Sequence, residues 1–140
     1  MPPELIGFGD KRDMNKFFAL ILSDKNASAI GWSDAFRQRG LDAASTDSAA
    51  LAIHHWRVAP PLLTVVDLSL PMEEALQTCR ALRAINADAP ILLVLSTAYG
   101  DDLFEAWRAG ATECLVQPAS PAAILLKALA WSMRASWGMK

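Results

Sequence analysis

Leu62-Leu63-Thr64-Val65-Val66-Asp67-Leu68-Ser69-Leu70-Pro71 is a run of aliphatic and β-branched residues that ends in a carboxylate and is stopped by a proline. A short apolar run of this kind predicts a strand buried on both faces, as in a parallel sheet covered by helices. Pro71 has no N–H to give a ladder and turns the chain into a loop. Asp67 is therefore expected at the carboxyl end of a central strand, the edge at which open α/β sheets place their ligands. A lone strand-end aspartate is more often a simple turn residue. Here other strand ends bring residues to the same edge.

Toward the N-terminus, Phe17 to Leu22 predicts a second buried strand, ending in Ser23-Asp24. Asp24 or Asn26 is expected to cap a helix over about Ala27 to Arg39, with Gly40 as its stop and Trp32, Ala35 and Phe36 on one side. Leu41 to Ser45 has the mixed polarity of an edge strand. Thr46 or Asp47 is expected to cap a helix through about Trp56, with His54 and His55 at the dipole end that favours cations. No third ligand type stands near these histidines, so they do not suggest a metal site.

Toward the C-terminus, Glu73 and Glu74 favour a helix start, and Leu76, Cys79, Leu82 and Ile85 share one helical face. Arg80 and Arg83 are expected on the solvated side of that helix. Ile91 to Leu95 predicts another apolar strand, ending in Ser96-Thr97. Asp101 and Asp102 open a short helix that is expected to bury Phe104 and Trp107 and to close at Gly110. Cys114-Leu115-Val116 is the last strand, ending at Gln117-Pro118, and Ser120-Pro121 starts the final helix.

Strand and helix thus alternate five times, which predicts an α/β fold: a doubly wound parallel sheet with helices on both faces, in the flavodoxin-like order 2-1-3-4-5. One domain is expected over residues 17–137, between a loosely held leader (1–16) and a short tail (138–140). The chain is 53% hydrophobic and 20% charged, a balance that suits a packed core rather than disorder. Its net charge of −2 and scattered basic residues do not suggest a nucleic-acid footprint. Cys79 and Cys114 lack metal spacing and read as free thiols of a reducing cytosol. Pro2, Pro3, Glu4 and Asp10 do not suit a signal peptide, and no stretch is long and apolar enough to span a bilayer. A soluble cytoplasmic protein with no membrane contact is expected. Ser23-Asp24-Lys25-Asn26 reads as an acidic loop where a nucleotide-binding enzyme needs glycines, which counts against such an enzyme.

In this topology four strand ends meet at one rim, carrying Ser23-Asp24, Asp67, Ser96-Thr97 and Gln117-Pro118. Asp24 and Asp67 have the chemistry to share Mg²⁺, with the backbone oxygen of Ser69 as a further ligand. Such an ion would relieve the repulsion between the carboxylates and let Asp67 attack a phosphoryl group. The Thr97 hydroxyl could then bond a phosphoryl oxygen.

Asp67-Leu68-Ser69-Leu70-Pro71, Ser96-Thr97-Ala98, Ala109-Gly110-Ala111 and Val116-Gln117-Pro118 occur in an order and spacing that resemble the receiver domain of response regulators, over roughly residues 17–135. The resemblance implies a two-component phosphorelay. Asp67 would be the phosphoacceptor, Asp24 a Mg²⁺ ligand and Thr97 the switch hydroxyl. It also implies a cis Gln117–Pro118 bond, an option open to X–Pro. A histidine kinase or phosphotransfer protein would supply the phosphoryl group, and a downstream protein would read it.

The sequence also departs from that family's pattern. Ser23 stands where the first of two acids is usual, Gln117 where a lysine is usual, and Cys114 where an aromatic switch residue is often found. Losing a preorganised cationic donor such as that lysine costs about 3 kcal/mol of transition-state stabilisation. Losing an acid at Ser23 weakens Mg²⁺ binding. Two non-enzymatic readings follow: an impaired phosphorelay receiver, or a pseudo-receiver that binds proteins without phosphorylation. A third reading, an unrelated flavodoxin-like enzyme, would need a cofactor or substrate pocket, and the sequence offers no convincing one.

The final helix, Pro121 to Trp137, carries apolar residues around most of its circumference, among them Leu125, Leu126, Leu129, Trp131, Met133 and Trp137. A helix on one sheet face needs a single apolar stripe. The excess predicts a second covered face, through a homodimer or another partner. Because the sequence stops just after this helix, a stand-alone module without an output domain is expected.

Overall fold

Strands and helices alternate strictly in the computed structural model, which describes residues 18–67, 72–95, 100–116 and 120–138. The elements are β1 (Phe18–Ser23), α1 (Asn26–Gln38), β2 (Asp42–Thr46), α2 (Ala49–Val58), β3 (Leu63–Asp67), α3 (Met72–Ile85), β4 (Ile91–Leu95), α4 (Gly100–Arg108), β5 (Glu113–Val116) and α5 (Pro121–Gly138). All strand pairs are parallel, in the expected order β2-β1-β3-β4-β5. The leader at 1–16 lies outside the described residues.

The central strands behave as their apolar runs require. Every residue of β3 and β4 is buried. Side chains alternate across the pleat, so each strand feeds two cores. Leu20, Leu22, Val66, Leu93 and Leu95 pack with Trp56 of α2, with Leu76, Cys79 and Leu82 of α3, and with Ala106 of α4. Ala19, Ile21, Leu63, Val65, Leu92 and Val94 pack with Trp32 and Phe36 of α1 and with Ile124 and Leu125 of α5. Buried Trp56 donates its indole N–H to Thr64 Oγ1 at 2.8 Å, satisfying two polar groups on the first of these faces.

Several local expectations are corrected. Lys25, not Asp24 or Asn26, is the N-cap of α1, and the Lys25 side chain makes no capping hydrogen bond. Ser48, not Thr46 or Asp47, caps α2 by accepting the Leu51 N–H at 3.1 Å, while Thr46 Oγ1 accepts the N–H of Ser48. Phe104 and Trp107 face outward, 56% and 68% exposed, and α4 instead meets the sheet through Ala106. Arg83 is not on a solvated face: its guanidinium is spent on backbone carbonyls and on the Thr112 hydroxyl. His55 is buried, and burial together with neighbouring His54 lowers its pKa, so it is not the cationic dipole partner expected. Among the described residues no helix is long and apolar enough to cross a membrane.

Candidate functional site

The site is built by strand register. β1 and β3 are parallel neighbours in which Ser23 lies directly opposite Asp67, so the last residues of two adjacent strands come side by side. Both are buried, Asp67 completely. The Ser23 hydroxyl is 3.2 Å from Asp67 Oδ2 and 3.4 Å from the Lys25 carbonyl oxygen. Its single proton is better used on the charged acceptor. The same hydroxyl oxygen accepts the backbone N–H of Lys25 at 3.1 Å. Ser23 therefore joins the β1–α1 loop to the Asp67 carboxylate.

Lys25 completes the arrangement. Its Nζ lies 3.4 Å from Asp67 Oδ1, with the lysine side chain about one-third exposed (31%) and that of Asp67 at 1%. This is longer than the roughly 2.8 Å of a tight charge-assisted bond. The pair acts mainly through charge, at an edge where partial burial strengthens it over a surface pair. Asp67 thus has a neutral donor at one oxygen and a cation at the other.

Of the residues picked out in the sequence, Ser23 and Asp67 are brought together. Asp24 follows Ser23 on the β1–α1 loop and is exposed. Ser69, Thr97 and Gln117 lie outside the described residues. Lys25 was missed, because Ser23-Asp24-Lys25-Asn26 reads as an acidic loop when its charges are merely summed. The available signal was a cation two residues after the strand-end Ser23.

The Mg²⁺ implied by the resemblance can be tested against these side chains. Mg²⁺ is generally held by one or two carboxylates, with water or phosphate completing six oxygens. Among the described residues no group of three or more His, Cys, Asp or Glu side chains is placed to hold a metal. A hydroxyl stands in place of one acid, and an ammonium sits against the remaining buried carboxylate. The Lys25 ammonium beside Asp67 works against a divalent cation on that carboxylate.

Comparison with known proteins supplies the lineage. A search of curated proteins found no match. Among solved structures, a CheY-like receiver domain protein from Methanospirillum hungatei superposes with a TM-score of 0.79 at 16% identity, covering 87% of this chain and 98% of its own. An orphan response regulator of H. pylori gives 0.74 at 14% identity, covering 84% and 97%. A Burkholderia pseudomallei response regulator, determined with a phosphorylated aspartic acid, a calcium ion and citrate, gives 0.70 at 20% identity, covering 89% and 76%. At these identities the structures speak for the fold alone. The family model of the response regulator receiver domain matches residues 19–129. With the strand order and the buried strand-end aspartate already in place, the chain belongs to the response regulator receiver domain family.

Proposed function

We propose that this chain is an atypical receiver that works as a protein–protein signalling module without relying on phosphorylation of Asp67. Receiver domains are signalling modules that communicate with histidine kinases or phosphotransfer proteins and with downstream partners, and they typically bind Mg²⁺ at the phosphorylation site. The observation that carries the present reading is the occupation of both Asp67 oxygens, by Ser23 and by Lys25. A carboxylate nucleophile has to offer an oxygen to phosphorus. Here the Ser23 hydroxyl at 3.2 Å and the Lys25 ammonium at 3.4 Å already draw on the electron density of both oxygens, which weakens the nucleophile. Gln117 in place of a lysine removes a further donor, worth about 3 kcal/mol in the transition state.

A module of this kind needs a surface for its partner. Leu103, Phe104 and Trp107 on α4 and Leu126 on α5 are exposed. Such residues suit contact with another protein, including a second copy of this chain. Retention of Asp67 at a buried strand end favours the second reading, in which the residue accepts a phosphoryl group slowly within a phosphorelay.

The deciding experiment incubates the protein with Mg²⁺ and a small-molecule phosphodonor and follows its intact mass. No phosphoryl adduct is expected on a timescale that saturates an ordinary receiver. An adduct that disappears in Asp67→Ala would establish the phosphorelay reading instead.

A further inference from the structure

We infer that the Lys25 ammonium is the built-in cation of this site, taking over the charge-neutralising role of the divalent ion and excluding that ion from Asp67. The inference deepens the reading above and rests on it in taking Asp67 as the centre of the site.

The origin of Lys25 distinguishes it from a stand-in for the lysine missing at Gln117. It comes from the β1–α1 loop, which follows Ser23 and holds Asp24, the expected metal ligand, whereas Gln117 follows β5. At the end of β1 one position lacks the usual negative charge, at Ser23, and the loop after it places a positive charge 3.4 Å from Asp67 Oδ1. Both substitutions move the local balance in the same direction, away from a dication. The Ser23 hydroxyl meanwhile takes Oδ2 and also receives the Lys25 backbone N–H. Lys25 is thereby held to the site at two points, through its backbone and through its ammonium.

Coulomb repulsion supplies the exclusion. A divalent ion on Asp67 would face a fixed positive charge within a few ångströms at a partly desolvated strand edge, where opposing charges are screened far less than in bulk water. Either the ion stays out or the lysine must swing away from a fully buried carboxylate.

The test titrates Mg²⁺ by calorimetry, and Mn²⁺ by water-proton relaxation, into the wild type, Lys25→Gln, Lys25→Arg and the double variant Lys25→Gln/Asp67→Asn. Lys25→Gln should bind the ion about tenfold or more tightly than the wild type. Lys25→Arg should stay as weak as the wild type, and the double variant should lose what Lys25→Gln gained. The inference is overturned if the wild type binds as tightly as Lys25→Gln, or if neither binds. It is equally overturned if Lys25→Gln binds less well, which would assign Lys25 the part of the missing lysine. Should Lys25→Gln not fold, tight Asp67-dependent binding by the wild type still refutes the inference, and gain of binding on lysine acetylation of the folded protein, lost in Asp67→Asn, supports it. The two readings fail separately. Phosphorylation of Asp67 in the presence of a chelator would sink the phosphorylation-independent function and leave Lys25 as the cation. Mg²⁺ binding by an unphosphorylatable wild type would do the reverse.

Discussion

Arg83 Nε donates to the carbonyl oxygen of Gly110 at 2.7 Å, tying the last turn of α3 to the turn that leads into β5. The rest of the guanidinium reaches the carbonyls of Asn86 and Ala89 and the hydroxyl of Thr112, which in turn accepts the Ile91 N–H. One side chain thus satisfies four acceptors from two connections, α3–β4 and α4–β5. Replacement by alanine should cost about 2–3 kcal/mol in urea unfolding, because charged donors are lost and carbonyls are left short of partners. Gly110 has φ +106°, and a Cβ there would collide with Arg83 Cγ. Gly110→Ala should therefore cost about 2 kcal/mol or more. In an Arg83→Ala background the same change should cost less, since only the backbone strain remains, and a double-mutant cycle measures the difference.

The Trp56–Thr64 bond makes a separate prediction. Thr64→Val keeps the shape of the side chain and removes the acceptor of a buried indole N–H. It should destabilise the fold by about 1–3 kcal/mol. Thr64→Ser, which keeps an oxygen and loses a methyl, should retain the bond. Thermal melts followed by tryptophan fluorescence would rank the two; a larger loss in Thr64→Ser than in Thr64→Val would show that the methyl outweighs the hydrogen bond there.

His55 should make stability fall in mild acid. Burial first, and His54 second, lower its pKa below the ordinary 6.5. Between the unfolded value of 6.5 and the lower folded value, the unfolded chain binds a proton that the folded chain refuses. The contribution of this group is intact above pH 6.5 and is lost as pH falls toward the folded value. Proton NMR of the imidazole should place its titration below 6.5, and denaturant midpoints should decline over the same window. A midpoint at or above 6.5 would contradict the assignment.

Cys79 is fully buried and its thiol is pushed up to about 12, chiefly by burial and next by Cys114. Cys114 is only partly covered and is also raised, by burial and then by Glu113. Only thiolate reacts with alkylating agents. Both should be slow near neutral pH, Cys114 should react first, and Cys79 should be labelled at the rate at which α3 opens. Timed labelling and peptide mass spectrometry would show the order.

What was legible in the sequence depended on how strongly single residues signalled. The runs of β3 and β4 are continuous and apolar, so both were placed within a residue, and the strand order followed from the alternation. Face assignment failed for α4, where Phe104 and Trp107 have the bulk of core residues but point outward. The buried positions Ala106 and Ala109 are small and weakly hydrophobic, so they carry little pattern. The α2 cap was missed by a residue or two because Thr46, Asp47 and Ser48 can all cap a helix. At the site, Asp67 was visible from its place at the end of a run. Lys25 was not, since its role depends on a contact with a residue 42 positions away that only the β1–β3 register creates.

That register binds the fate of the site to the fate of the core. Sliding β3 by one residue against β1 would invert every side chain of the strand. Thr64 would leave Trp56 for the α1 and α5 side, Val65 and Val66 would exchange cores, and Asp67 would lose its place opposite Ser23. The carboxylate's position is thus inherited from packing several residues away. A substitution deep in either core that nudges β3 along its axis would be read at Asp67 and Lys25 without touching either. The alignment of two buried strands serves as the ruler by which the rim is set.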